Sequence, residues 1–126
     1  MKLTRFEDLD YWQEARKLTQ MIYKATNQGP FQKDLRLSGQ IQAATASVMA
    51  NISEGFIRRS SKEFTQFLFI AMSSAAEVQS HLYIALDQGY IDQEDFDRIY
   101  DQANKTAMII SGLIKYLRTK QTKPTK

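Results

Sequence analysis

The chain is 126 residues long, a quarter of them charged, with a net charge of +3, one histidine and no cysteine. This length makes one domain, able to bury about two-thirds of its unfolded surface in a single core, and the lack of cysteine excludes disulfides, thiolate nucleophiles and zinc–sulfur sites. No apolar run approaches the roughly 18 residues of a membrane span, and the opening MKLTRFEDLD carries no apolar leader core, so a cytoplasmic protein without a membrane partner is expected.

Apolar spacing divides the chain into four helical segments. The first opens after Asp8, read as its N-cap, and sets Tyr11, Ala15, Leu18, Ile22 and Ala25 at steps of four and three before Asn27, Gly29 and Pro30 close it. The second runs from about Lys33 through Leu37, Ile41, Ala44, Val48 and Ile52, with Gly55 expected in the left-handed position after the helix end. The third begins at Ser60, where Ser60 and Glu63 form a capping-box pattern, and holds a seam of Phe64, Leu68, Ala71, Ala75, Val78, Leu82 and Ala85 before Gly89. The fourth starts at Asp92, with Glu94, Asp95 and Asp97 suiting the positive end of the helix dipole. Its face comprises Phe96, Ala103, Ala107, Ile110, Ile114 and Leu117.

Short connections between four such helices predict an all-α, antiparallel up-down-up-down four-helix bundle over residues 1–118. A basic, disordered tail is expected over 119–126. Residues 115–126 carry Lys115, Arg118, Lys120, Lys123 and Lys126 with no acid, whereas the rest of the chain holds 12 basic and 14 acidic residues. The basic character is therefore local to the C-terminus. Gly39 and Gly112 interrupt helix interiors and mark either close approach of a neighbouring helix or a cost of about 1 kcal/mol each relative to alanine.

Two helices lack the charged face that a bundle helix turns to water. Residues 37–53 contain no charge at all, and from Phe64 to Leu86 the only formal charge is Glu77. Depletion of charge with enrichment of aromatics and methionine characterises interface centres. Self-association through the second and third helices is therefore expected, with Gln42, Ala43, Ala46, Ala50, Phe67 and Ile70 at the contact.

The polar residues offer no catalytic constellation. His81 lies four residues after Glu77 and could pair with it along one helix face, but a di-iron bundle site needs two Glu-x-x-His pairs. No catalytic, cofactor or metal residue is assigned. Asn51, Glu54 and Glu77 are expected in structural roles, bonding the backbone of the 55–60 turn or pairing with Arg58 or Arg59. Arg58, Arg59 and Lys62 at that turn, with Lys115, Arg118, Lys120 and Lys123, are the candidate phosphate contacts. Tyr11, Tyr23 and Tyr116 are the aromatics considered for base stacking, against the commoner use of such residues in cores.

The stretch FEDLDYWQEARKLTQMIYKAT, with N-I-x-E-G-F at 51–56, R-S-x-x-E-F-x-x-F-L at 59–68 and G-Y-I at 89–91, resembles the four-helix-bundle proteins encoded in intervening sequences of bacterial 23S ribosomal RNA genes. The resemblance covers nearly the whole chain. That family is similar in fold to the accessory variability proteins of diversity-generating retroelements, basic homopentamers that work with a reverse transcriptase and its RNA. The resemblance thus implies a ring-like homo-oligomer, a pentamer, with RNA or a reverse transcriptase as partner; the lack of a catalytic constellation adds the expectation of a non-enzymatic protein without a cofactor. Two departures stand out: Gln42 and Ala43 replace an arginine pair common in relatives, and Met49 replaces a proline. The first weakens RNA binding along the second helix and suits a buried subunit contact. A protein-only scaffold or adaptor is the alternative function.

Overall fold

A computed structural model of the chain describes residues 5–122, with side chains placed through residue 120. A 3₁₀ turn at Phe6–Asp8 precedes α1 (Asp10–Thr26), α2 (Gly29–Lys33), α3 (Leu35–Ile57), α4 (Ser61–Asp87) and α5 (Gln93–Thr122). Among the described residues there is no strand, and no helix is long and apolar enough to cross a membrane.

The four long helices close a cycle in which α1 packs on α3, α3 on α4, α4 on α5 and α5 on α1. The sense of each pair is visible in its bonds. Thr19 meets Thr45 while Thr26 meets Gln42, so α1 and α3 run in opposite directions. Ser74 reaches Ser47, and the backbone at Gly55 abuts Phe64 and Phe67, so α3 and α4 do the same.

The apolar seams fill the middle in two clusters. One gathers Leu18, Ile22, Ile41, Val78, Leu82, Phe96 and Ile99; the other gathers Leu9, Val48, Ile52, Leu68, Ala75, Ile110, Ile114 and Leu117. Phe31, which falls between the first two expected segments, is buried because the extra short helix α2, with Pro30 in its first turn, turns the ring inward, where it stacks on Tyr90 at 5.3 Å.

Several helix ends differ from expectation. Asp8 does not cap α1: it lies in the 3₁₀ turn, and Leu9 stands at the N-cap without a side-chain bond. Asp34 caps α3, accepting from the Leu37 N–H at 3.0 Å, while Ser60 caps α4 as anticipated, accepting from the Glu63 N–H. The left-handed residue after α3 is Arg59, at φ 61°, not Gly55, which is helical. Gly89, at φ 74°, ends α4 in a Schellman arrangement: its N–H bonds the Leu86 carbonyl, and the Tyr90 N–H bonds that of Ala85. Asp92 caps α5 through the Asp95 N–H. That helix continues through Thr122, four residues beyond the expected end of the bundle at 118, so Arg118 and Lys120 are helical. Lys123 lies outside the described residues.

Candidate nucleic-acid interface and self-association surfaces

The basic residues come from three places in the sequence and meet at one end of the molecule. Helix α4 starts there, with Lys62 exposed in its first turn. The Arg58 guanidinium, arriving from the end of α3, lies 5.1 Å from the Phe67 ring centre. The Arg118 guanidinium, arriving from α5, lies 5.0 Å from that of Phe69. Two residues apart on a helix point away from each other, so the arginines flank the beginning of α4 from opposite sides.

These cations are not equally available. Arg58 is paired with Glu54 at 3.2 Å and with Glu63 at 3.7 Å. Among the described residues, no carboxylate lies within 4.0 Å of Arg59, Lys62, Lys115, Arg118 or Lys120, all of them exposed. A charge already balanced by two acids adds little to phosphate attraction. The free set is therefore Arg59, Lys62, Lys115, Arg118 and Lys120.

The structural polar residues divide. Glu54 pairs with Arg58 as expected. Asn51 does not reach the 55–60 turn: its amide donates back along α3 to the Ser47 carbonyl at 2.8 Å and the Ser47 hydroxyl at 3.0 Å, because one helical turn separates the two residues. Glu77 pairs with neither Arg58 nor Arg59; it sits two-thirds of the way along α4 and meets His81 at 3.2 Å, the partner one turn on. Among the described residues no third histidine or carboxylate joins this pair to make a metal-binding group.

The neutrality of α3 is partly explained inside the chain. Thr45 is fully buried and meets Thr19 of α1 at 3.0 Å, the Gln42 amide donates to Thr26 at 2.9 Å, and Ser47 receives the hydroxyl of Ser74 from α4. Small hydroxyl and amide groups serve as joints between closely packed helices, where a charged group would need a partner. What remains outside is an exposed stripe of Gly39, Ala43, Ala46 and Ala50. Of the six expected contact residues, Ala43, Ala46, Ala50 and Ile70 are exposed, whereas Gln42 and Phe67 are partly buried within the chain.

Ala46 and Ala50 form one wall of a groove of about 460 Å³ between α1 and α3, with Phe6, Trp12, Tyr23 and Met49 opposite or beneath. Among the described residues no charged one lines it. Tyr23 is thus drawn to the groove and away from the basic end, and Tyr11 is half-buried against Phe64, with its hydroxyl pushed up to about 12 by burial and the nearby Asp10. Only Tyr116 of the three tyrosines stands free on the basic segment, 61% exposed.

A joint that the sequence did not reveal links α1 to α5. The Glu14 carboxylate, 12% exposed, accepts from the Gln102 amide at 2.9 Å and pairs with Lys17 and Lys105 at 3.1 and 3.4 Å. The Gln102 bond foremost, and the two lysines, hold this carboxyl below the usual range despite its burial. Lys17 is a neighbour one helical turn on, but Gln102 lies 88 residues away in sequence, so no local pattern marks the joint to α5.

The family model described as 23S rRNA-intervening sequence protein matches residues 7–112. The chain belongs to this family. It is similar to a solved structure of a protein with unknown function from the S23 ribosomal protein family of Bacteroides thetaiotaomicron, at 26% identity and a TM-score of 0.75, covering 83% of this chain and 98% of that one. No curated protein matches the sequence. In this member of the 23S rRNA-intervening sequence family, the motif residues have physical roles at the basic end. Gly55 of N-I-x-E-G-F lets α3 touch α4, Glu54 anchors Arg58, Ser60 caps α4, and Phe64 and Phe67 cover the close approach.

Proposed function

We propose that this protein is a non-enzymatic accessory factor that binds RNA at the basic end of a four-helix bundle and acts as a ring-like homo-oligomer. The observation that carries the reading is that Arg59, Lys62, Lys115, Arg118 and Lys120, on the segments around the α3–α4 turn and the last turns of α5, each have no carboxylate within 4.0 Å among the described residues. Free cations on one surface attract a phosphate backbone, and rotational symmetry would repeat the surface on each subunit. The partner is RNA or an RNA-bound enzyme such as a reverse transcriptase, and a fivefold ring is the expected assembly.

Two unlike surfaces support ring closure over a twofold dimer. The α1–α3 groove is open and, among the described residues, lined by no charge, whereas Ile70 and Ile84, fourteen residues apart along α4, are 49% and 44% exposed. A ring needs such a heterologous pair, with one subunit's ridge in the next subunit's groove. Ala46→Arg or Ala50→Glu is expected to lower the mass measured by light scattering while helix content stays unchanged. Unchanged mass would remove the groove from the interface.

The RNA reading is tested by a salt series with full-length protein and a Lys62→Gln, Lys115→Gln, Lys120→Gln variant. Each phosphate contact to a single strand contributes about 0.7 to the log–log salt slope, so the three substitutions are expected to lower it by about 2. No retention of RNA by the parent protein at low salt would favour the protein-only scaffold, for which the Glu54–Arg58–Glu63 cluster is the supporting observation: it neutralises one of the expected phosphate contacts.

A further inference from the structure

The two aromatic–arginine pairs flanking the start of α4 differ in a way that bears on the kind of nucleic acid. Phe67 is partly buried, and its arginine is occupied by two carboxylates. Phe69 is 40% exposed, and its arginine, Arg118, has no carboxylate partner among the described residues. Lys62 lies seven residues before Phe69, two turns down the same face of α4. Lys115 lies three residues before Arg118, one turn back on the same face of α5. Helical spacing therefore sets Lys62 on α4 and Lys115 on α5 along the faces that carry this exposed ring and its guanidinium, each ammonium without a carboxylate within 4.0 Å among the described residues.

Bare cations alone suit any phosphate backbone. An exposed ring among them offers something only an unpaired base can use, because bases in a duplex already cover one another's faces. We infer that this α4–α5 face binds single-stranded nucleic acid, with one base packed against the Phe69–Arg118 pair and the neighbouring phosphates held by Lys62 and Lys115. The inference rests on the RNA-binding reading above and narrows it to a substrate class. Stacking reads no 2′-hydroxyl, so single-stranded RNA and single-stranded DNA share the chemistry. Tyr116 stands outside this site, since it is two residues from Arg118 and points to the other flank of α5.

The test uses full-length protein with a labelled 12-nucleotide RNA, the same sequence as DNA, and the corresponding RNA duplex at one salt concentration. The single strands are expected to bind within a few-fold of each other and at least tenfold more tightly than the duplex. Phe69→Ala is expected to weaken single-strand binding about 5- to 150-fold, the loss of one stacked base, with the salt slope unchanged. Phe69→Tyr should restore binding, and Tyr116→Ala should leave it intact. Circular dichroism and light scattering on each variant separate loss of the site from loss of fold or assembly. Equal affinity for the duplex, an unaffected Phe69→Ala protein, or a Phe69→Ala protein whose mass falls would each overturn the inference while leaving salt-dependent RNA binding in place. Absence of binding to all three probes by the parent protein would instead overturn the RNA reading itself.

Discussion

Replacing Gly55 with alanine tests the point on which the basic end is built. An added Cβ would lie 2.8 Å from the Phe67 Cβ, 2.9 Å from the Phe64 Cδ1 and 3.4 Å from the Phe64 Cα. Two of those atoms belong to the backbone or its first side-chain carbon, so they can move only if α4 moves. Overpacking of this kind costs about 1–3 kcal/mol, against which alanine regains about 1 kcal/mol of helix propensity. The net loss expected for Gly55→Ala is up to about 2 kcal/mol, or a fall in Tm of up to about 8 °C for a domain of this size. Thermal unfolding followed by circular dichroism measures it. Gly55→Asn sharpens the test, because asparagine tolerates a left-handed cap better than alanine but is larger in a helix contact. Asparagine should be the more damaging. A milder effect of asparagine, or a Gly55→Ala protein more stable than the parent, would refute close approach as the reason for this glycine.

The other glycines in helix interiors should behave oppositely: Gly39 and Gly112 have nothing within 4 Å of an added Cβ, so alanine at either should raise stability by about 0.5–1 kcal/mol in denaturant titration. Arg59 holds a left-handed backbone that glycine adopts without strain, so Arg59→Gly should raise Tm, by up to about 1 kcal/mol of stability, while weakening RNA retention. The Asp34 carboxyl is held below its usual range by the Leu37 N–H first and by the Tyr90 hydroxyl, which donates at 2.9 Å. Its folded-state proton affinity is the lower, so its contribution is present above the ordinary carboxylate pKa and lost as pH falls through that range. Asp34→Asn should flatten the acid limb of a Tm-versus-pH curve. Tyr11 works in the other direction: with its hydroxyl raised to about 12 in the folded state, stability is lost between about pH 10 and 12, and Tyr11→Phe should remove that alkaline loss. In the parent protein, a flat alkaline limb would contradict the burial of this phenol.

The Glu54–Arg58–Glu63 cluster explains why counting charges near a turn overstates its pull on phosphate. Arg58 looks equivalent to Arg59 in sequence, yet the helical spacing from Glu54 and the return of the chain at Ser60 bring two carboxylates to it and none to its neighbour. Among the described residues, Arg59 and Lys62 have no carboxylate within 4.0 Å.

Helix identity and the core seams were legible in the amino-acid order because they rest on local chemistry. A 3.6-residue period, Ser60 and Asp92 as caps, and Gly89 as a stop are each decided within a few residues. The core positions Ile41, Val48, Leu68, Leu82 and Ile110 followed from that period. Family membership was legible for the same reason, since its motifs are short local runs, most of them at helix ends. Relations between helices were decided only by tertiary packing. The role of Gly55, the Glu14–Gln102 joint and the Phe69–Arg118 pair depend on how far α3, α4 and α5 slide along one another. That register is set by how whole seams interlock, a sum of many small contacts across long sequence separations that no local spacing encodes. The sequence by itself determined that two helices would be poor in charge. Packing decided that Thr45 and Ser47 join helices within the chain, whereas Ala46, Ala50 and Phe69 are left facing outward.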